Sequence, residues 1–322
     1  MKNVIKLKNL MLIALFTALS VSCDDDNNND NMVVDNTITG KAVASPNLSI
    51  LVQALVRAEL ATTLKGAGPF TVFAPTNEAF TAFLATTPYP TINDVPKEAL
   101  TQILLNHVVT GSVKSTDLNT GYIKTLAKGS ASTTNNLSMY VNITAGIKLN
   151  GVATVTTPDI MASNGVIHIV DKVIDLPTIV THAAANANFS TLVSVLNRSG
   201  EPNFITALSG TGPFTVFAPT NAAFTALNTE LAPGGIAGVS AANLTKVLQY
   251  HVVSPANVLA TSLTEGQVVT PILVPVQTFT IQLSGGAKIK DARNRISNII
   301  ITDVQCSNGV IHAVDKVLLP LL

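Results

Sequence analysis

The sequence predicts two consecutive α+β domains of one kind, and three observations predict it. GPFTVFAPTN stands at residues 68–77 and again at 212–221. NGVIHIVDKV at 164–173 returns as NGVIHAVDKV at 308–317, and His107-Val108-Val109 returns as His251-Val252-Val253. All three share one offset of 144 (212 − 68, 308 − 164, 251 − 107), which a duplicated domain explains. Within each copy helical periodicity comes first and β-rich runs last, the order of an α+β unit rather than a regular alternation. The copies, 37–176 and 177–322, are each long enough to bury a core.

The first copy opens with Leu48, Leu51, Val52, Leu55 and Val56 at helical spacing, with Asn47 and Ser49 as cap candidates. Its counterpart is Phe189, Leu192, Val193 and Leu196 at an offset of 141, so the second copy carries three extra residues around 200–202, as a loop tolerates. FTVFA at 70–74 reads as a strand bounded by Gly68-Pro69 and Pro75. Pro75 ends it, and Thr76 or Asn77 caps a helix bearing Ala79, Phe80 and Phe83. Asn77 is expected to bond the local backbone of that turn. A helix over 97–106 runs into the β-branched His107-Val108-Val109. Residues 112–174 read as short strands with turns at Asn150-Gly151 and Asn164-Gly165, and 166–174 as the last strand. The linker at 175–178 is so short that the two units are expected to touch.

Composition excludes some functions. Lys+Arg and Asp+Glu are both 19, so no basic excess exists to neutralise a nucleic acid. Charged residues are 12% and hydrophobic ones 47%, which is not a disordered chain. Trp is absent and Tyr numbers 4, leaving few aromatic platforms for bases or sugars. The second cysteine, Cys306, has Ala162 as its counterpart, so neither a disulfide nor a cysteine metal site is expected, and it reads as a small buried residue.

The N-terminus has Lys2, Lys6 and Lys8, then the apolar LMLIALFTAL at 10–19, then Ser20, Val21, Ser22 and Cys23. The apolar stretch is too short for a membrane-spanning helix, which needs about 20 residues. The arrangement resembles a bacterial lipoprotein signal, residues 1–22, with Cys23 lipidated. Ser20 stands where that pattern usually has Leu, and Leu19 lies one place further back. DDDNNND follows at 24–30, and 23–36 is expected to be an acidic tether reaching roughly 20 Å. Acidic residues after the cysteine resemble the surface-export signal of lipoproteins in the Bacteroidetes. The resemblance implies an outer-membrane anchor, with membrane lipid as the partner of Cys23, on the outer face.

TVFAPTNEAF and TVFAPTNAAF resemble the first signature box of fasciclin-like domains, and NGVIHIVDKVI and NGVIHAVDKVL the second. The histidines of LLNHVV and LQYHVV match a third landmark. The resemblance covers 37–322. It implies that each unit is a seven-stranded β-sandwich or wedge with helices packed along one edge. It also implies extracellular adhesion, matrix attachment and protein–protein contact.

The boxes themselves read as scaffold: Phe73, Pro75, Thr76, Asn77, Asn164 and Gly165, with Phe217, Pro219, Thr220, Asn221, Asn308 and Gly309 in the second copy. The repeated histidines His107, His168, His251 and His312 fall short of the three or four ligands a zinc site wants, and read as buried, hydrogen-bonded side chains. Asp171 and Asp315 lie three residues after His168 and His312, on the opposite face of a strand. No nucleophile elbow, phosphate loop or dinucleotide fingerprint is present, so no catalytic residue, metal or cofactor is predicted.

The candidates for partner contact are few. Asp159 and Ile160 lie in TPDIM at 157–161, close to an integrin-contacting EPDIM segment of animal members, with Thr157 in place of Glu. In a bacterial lipoprotein Asp159 reads instead as a repeated structural carboxylate at a loop or strand edge, with Asp303 as its counterpart. Tyr250-His251 matches a Tyr-His motif that the first copy lacks. Lys288, Lys290, Arg293 and Arg295 form a basic cluster that suits an acidic glycan or a solvated loop. Contact surfaces are expected where the copies diverge: 86–96 against 230–240, and 118–147 against 263–289. The reading is a non-enzymatic envelope adhesion or scaffold protein, with a polysaccharide or small-ligand binding module as the alternative. The adhesion partner is not specified by the residues.

Overall fold

The structure is a computed structural model that describes residues 35–198 and 202–322. The predicted signal, Cys23 and most of the tether lie outside the described residues. In chain order the first domain holds α1 (Ile38–Val43), α2 (Ser49–Arg57), α3 (Ala61–Lys65), β1 (Phe70–Pro75), α4 (Asn77–Leu84), α5 (Lys97–Leu105), β2 (Val108–Thr110), β3 (Gly121–Gly129), β4 (Ser132–Asn142), β5 (Lys148–Leu149), β6 (Ala153–Ala162) and β7 (Gly165–Val170). The second repeats this order as α6 (Ile179–Ala185), α7 (Ser190–Leu196), α8 (Phe204–Leu208), β8 (Phe214–Pro219), α9 (Asn221–Glu230), α10 (Ala241–Tyr250), β9 (Val252–Val253), β10 (Val268–Val269), β11 (Phe279–Gln282), β12 (Lys288–Lys290), β13 (Ile296–Cys306) and β14 (Gly309–Val314).

Each domain has one run of seven strands, β2-β1-β7-β6-β5-β4-β3 in the first and β9-β8-β14-β13-β12-β11-β10 in the second. The two signature boxes are neighbours: β1 pairs with β7 in parallel from Phe70↔Gly165 to Pro75↔Val170, and β8 pairs with β14 in the same way. The long β6 shifts register between Val155 and Thr157 and again between Thr157 and Ile160. Such bulges bend a strand. The sheet folds over there, and β3 comes back to lie against β2.

This fold buries β1 on both faces, which explains its unbroken apolar run. Val72 points into the core beneath α1–α5, whereas its neighbour Phe73 points into the core inside the folded sheet with Met139, Val141 and Leu149. The second domain partitions Val216 and Phe217 likewise. Full burial of such side chains contributes about 1.5–3 kcal/mol each.

The box residues act further away than their turns. Thr76 caps α4, accepting from the Ala79 amide, as Thr220 caps α9. Asn77 does not bond its own turn. Its Oδ1 accepts from the Ile50 amide at 2.9 Å, and its Nδ2 donates to the Pro46 carbonyl at 3.0 Å. Asn77 therefore caps α2 from across the fold, where neither Asn47 nor Ser49 does; the residue before α2, Leu48, has no side chain able to cap. Asn221 does the same for α7 through the Thr191 amide and the Ala187 carbonyl. Gly165 is required by close approach, since a Cβ there would lie 1.9 Å from the Phe70 carbonyl oxygen.

The tether boundary also moves. Asp35, expected in the flexible tether, accepts from the Thr37 amide and hydroxyl and pairs with Lys65 at 3.0 Å. The ordered fold thus begins at least two residues before residue 37.

Candidate functional site

The most ordered polar constellation is a chain of hydrogen bonds around His168, repeated around His312. Thr71 on β1 is fully buried, donates to the Gly111 carbonyl at 2.6 Å and accepts from the Val113 amide at 2.8 Å. The Val113 carbonyl then accepts from Nε2 of His168 at 2.9 Å. Nδ1 of His168 accepts from the Asp159 amide at 3.2 Å, which fixes the neutral ring with its proton on Nε2. The Asp159 carboxylate accepts from the amide and hydroxyl of Ser115. Those hydrogen bonds hold Asp159 below the usual carboxylate range, the Ser115 hydroxyl most of all. In the second domain Thr215, Val258, His312, Asp303 and Ala260 form the same chain.

The histidine rings also stack on the phenylalanines of the facing strand, Phe73 on His168 at 5.4 Å and Phe217 on His312 at 5.5 Å. Asp159 and Asp303 both have positive φ, at 63° and 59°, in the β6 and β13 bulges. The constellation therefore pins a strained bulge and the segment after β2 to the central strands. Asp171 and Asp315, on the other face, accept instead from the Thr154 and Asn298 amides.

His107 and His251 are equally occupied. Nδ1 of His107 donates to the Ile103 carbonyl at 2.8 Å and Nε2 accepts from the Ile174 amide at 2.8 Å. His251 does so with Val247 and Leu318. Burial pushes both down to about 4. Asn164 and Asn308 each take one amide, from Ile38 or Ile179, and give both N–H groups to carbonyls of Leu64 and Gly66, or Leu208 and Gly210. Among the described residues no group of three or more His, Cys, Asp or Glu side chains is placed to hold a metal ion.

The contact candidates are redistributed. Tyr250 and His251 are buried, and Tyr250 Oη donates to the Thr278 carbonyl and accepts from the Ala292 amide. This pair faces the core, because α10 turns inward before β9, and it cannot present a Tyr-His motif to a partner. Ile160 packs against the helical core, and Asp159 is half-buried with its carboxylate held by Ser115. Arg295 donates to Glu230 and the Val317 carbonyl, Arg293 to the Pro320 carbonyl, and Lys288 to the Ser284 carbonyl. These three basic groups are thus partly spent inside the second domain.

One divergent segment has an unexpected place. The β3–β4 hairpin, inside 118–147, packs against β13 and α6 of the second domain. Lys124 Nζ donates to the Asp303 carbonyl at 2.8 Å, Ser138 Oγ accepts from the Gln305 amide at 3.0 Å, and the Ala131 amide donates to the Ser307 carbonyl at 2.9 Å. Tyr122 Oη accepts from Asn186 at 3.1 Å, and its ring meets His182 edge-on at 5.4 Å. Burial lowers Lys124 and raises Tyr122. His182 is fully buried with no ring nitrogen in a hydrogen bond of ordinary geometry, and burial pushes it down to about 3. The sequence did carry a signal for it: His182 is the one unrepeated histidine, with half-buried Lys41 in its place in the first copy.

Protein sll1483 of Synechocystis sp. is 39% identical over 145 residues, 44% of this chain and 73% of its own length. Transforming growth factor-beta-induced protein ig-h3 of Sus scrofa is 30% identical over 266 residues, 80% of this chain but 35% of its own length. Human periostin is 30% identical over 269 residues, 80% of this chain and 29% of its own. This chain therefore spans about a third of the length of ig-h3 and periostin. A FAS1 domain pair from the insect cell adhesion molecule Fasciclin I aligns over 88% of this chain and 96% of its own, at 18% identity and a TM-score of 0.49. The family model described as fasciclin domain matches residues 46–177 and 187–320, the two halves whose signature boxes pair as β1–β7 and β8–β14, and the chain belongs to the fasciclin family as two tandem fasciclin domains.

Proposed function

We propose that this chain is a non-enzymatic adhesion or scaffold lipoprotein of the cell envelope, anchored through Cys23 in outer-membrane lipid and displayed on the outer face by its acidic tether. The observation that carries this reading is the occupancy of the repeated polar residues. His107, His168, Asn77, Asn164 and their counterparts all bond within the fold, so these repeated side chains serve the scaffold. The diverged segments 86–96 and 230–240 are mostly exposed, where a contact protein needs its variation. Fasciclin domains also occur in the adhesion proteins ig-h3 and periostin. No helix among the described residues is long and apolar enough to cross a membrane; in this reading the attachment is the lipid on Cys23. The test is a deletion strain complemented with the natural chain or with Cys23→Ala. Loss of attachment on deletion, restored only by the acylated chain, is the expected result; unchanged attachment to cells, matrix and glycans overturns the reading.

A second reading, binding of an acidic glycan, is favoured by Lys288 and Lys290, which share one face of β12. The Lys290 side chain makes no hydrogen bond or ion pair among the described residues. A glycan array probed with the two-domain fragment separates the readings: selective acidic-glycan binding lost in Lys290→Ala supports the second.

A further inference from the structure

The two domains share a fold but not a filled interior. Beneath the helices of the second domain lies a cavity of about 140 Å³, whereas the corresponding space in the first measures about 10 Å³. The second-domain cavity is lined by side chains such as Phe204, Leu227, Leu231, Val239, Leu244 and Val247. Among the described residues the polar ones on its wall are His251, with both ring nitrogens engaged, and Arg293, whose Nε donates to the Pro320 carbonyl. A water held in such a space needs two to four polar partners, and this wall offers only the remaining N–H groups of the Arg293 guanidinium. The lining atoms of an empty cavity forgo dispersion contacts that an apolar guest restores.

The repeat identifies which residues open it. At an offset of 144, Leu227 on α9 stands where the first domain has Phe83, and Val247 on α10 where it has Ile103. Phe204 and Ile205 on α8 are larger than their counterparts Leu60 and Ala61, so volume was added on one helix and removed from two others. Ile205, Leu231 and Val239 are half-buried and bring the cavity wall to the surface.

We propose that the second domain, and not the first, is a binding site for a small apolar molecule, a single-ring aromatic or a compact branched hydrocarbon. The size sets the class: a dry cavity of about 150 Å³ lined by Leu, Ile and Phe holds benzene or xenon. This site is independent of the adhesion reading, which concerns the outer surface.

The test compares the two-domain protein with the variant Leu227→Phe/Val247→Ile, which installs the first domain's side chains. Benzene at saturation is expected to raise the melting temperature of the natural protein by about 2–4 °C. The variant is expected to melt at the same temperature with and without benzene. No shift in the natural protein, or an equal shift in both, overturns the proposal. Should the variant not fold, xenon-pressurised crystals of the natural protein decide: xenon between Leu227 and Val247 supports the site, and its absence there overturns it.

Discussion

The backbone amide of Ile38 donates to Oδ1 of Asn164 at 2.9 Å across 126 positions of sequence, tying the start of α1 to the β6–β7 turn. Ile179 and Asn308 repeat the bond at 3.0 Å in the second domain. Each asparagine is buried and satisfies three backbone groups at once. Replacing it with alanine leaves those groups unpaired, at about 1–3 kcal/mol for each buried group that finds no water. Asn164→Ala and Asn308→Ala are each expected to lose at least about 2 kcal/mol by urea unfolding monitored by circular dichroism. A loss below about 0.5 kcal/mol contradicts the bonding described.

Acid should weaken the fold well above the carboxylate range. His107 and His251 are held neutral at about 4 in the folded state, against an ordinary value near 6.5. Between those values the unfolded chain binds protons that the folded chain does not, so stability is full above about pH 6.5 and falls as pH drops towards 4. The slope is at most about 1.4 kcal/mol per pH unit for each histidine. Urea midpoints from pH 7.5 to 4.5 measure it; a flat profile contradicts the burial assigned to these rings.

His182 stands apart, because its ring nitrogens gain little from burial. An apolar residue of similar size removes a desolvated polar group and gives up only a contact with the Ser138 backbone that lies outside ordinary hydrogen-bond geometry. His182→Leu is therefore expected to unfold at an equal or higher urea concentration than the natural chain at pH 7. It should also show a shallower decline towards pH 4.5, since one depressed histidine is gone. A loss of more than about 2 kcal/mol at pH 7 would show that the ring is bonded after all.

Gly129 touches the second domain so closely that a Cβ would lie 2.4 Å from Cα of Ser307. Gly129→Ala must push the β3–β4 hairpin off β13, and an overpacked contact costs about 1–3 kcal/mol. Combined with Lys124→Ala, which removes the bond to the Asp303 carbonyl, it should uncouple the domains. Scanning calorimetry is expected to show two separated transitions in the double variant where the natural chain shows overlapping ones. A single unchanged transition counts against a coupled pair.

Asp159→Asn tests whether the TPDIM aspartate serves the fold or a partner. Its carboxylate secures Ser115, so the variant should lose about 1–2 kcal/mol while attachment per folded molecule stays unchanged. Full stability with lost attachment reverses that assignment.

The repeated boxes made the fold legible. FTVFAPTN and NGVIHIVDKV announced a strand, a proline stop, a helix cap and a last strand; the first three stand where expected, while the last strand ends at Val170 and not at 174. The partners of those residues were not legible. Asn77 caps α2 rather than its own turn, and His168 is answered by Asp159 rather than by Asp171 three positions on. Tyr250, legible as a motif, is core because α10 turns inward before β9.

By itself the sequence determined the duplication, the family and the scaffold role of the repeated residues, since one offset and unbroken apolar runs are properties of a chain read in one dimension. Tertiary structure decided where the copies part company. The diverged β3–β4 hairpin is taken up by packing on the second domain, and the exchange of Phe83 for Leu227 and Ile103 for Val247 goes with a cavity in one copy alone. The first depends on which side chains meet across more than a hundred positions of sequence and the second on volume left unfilled between helices, neither of which a local pattern encodes.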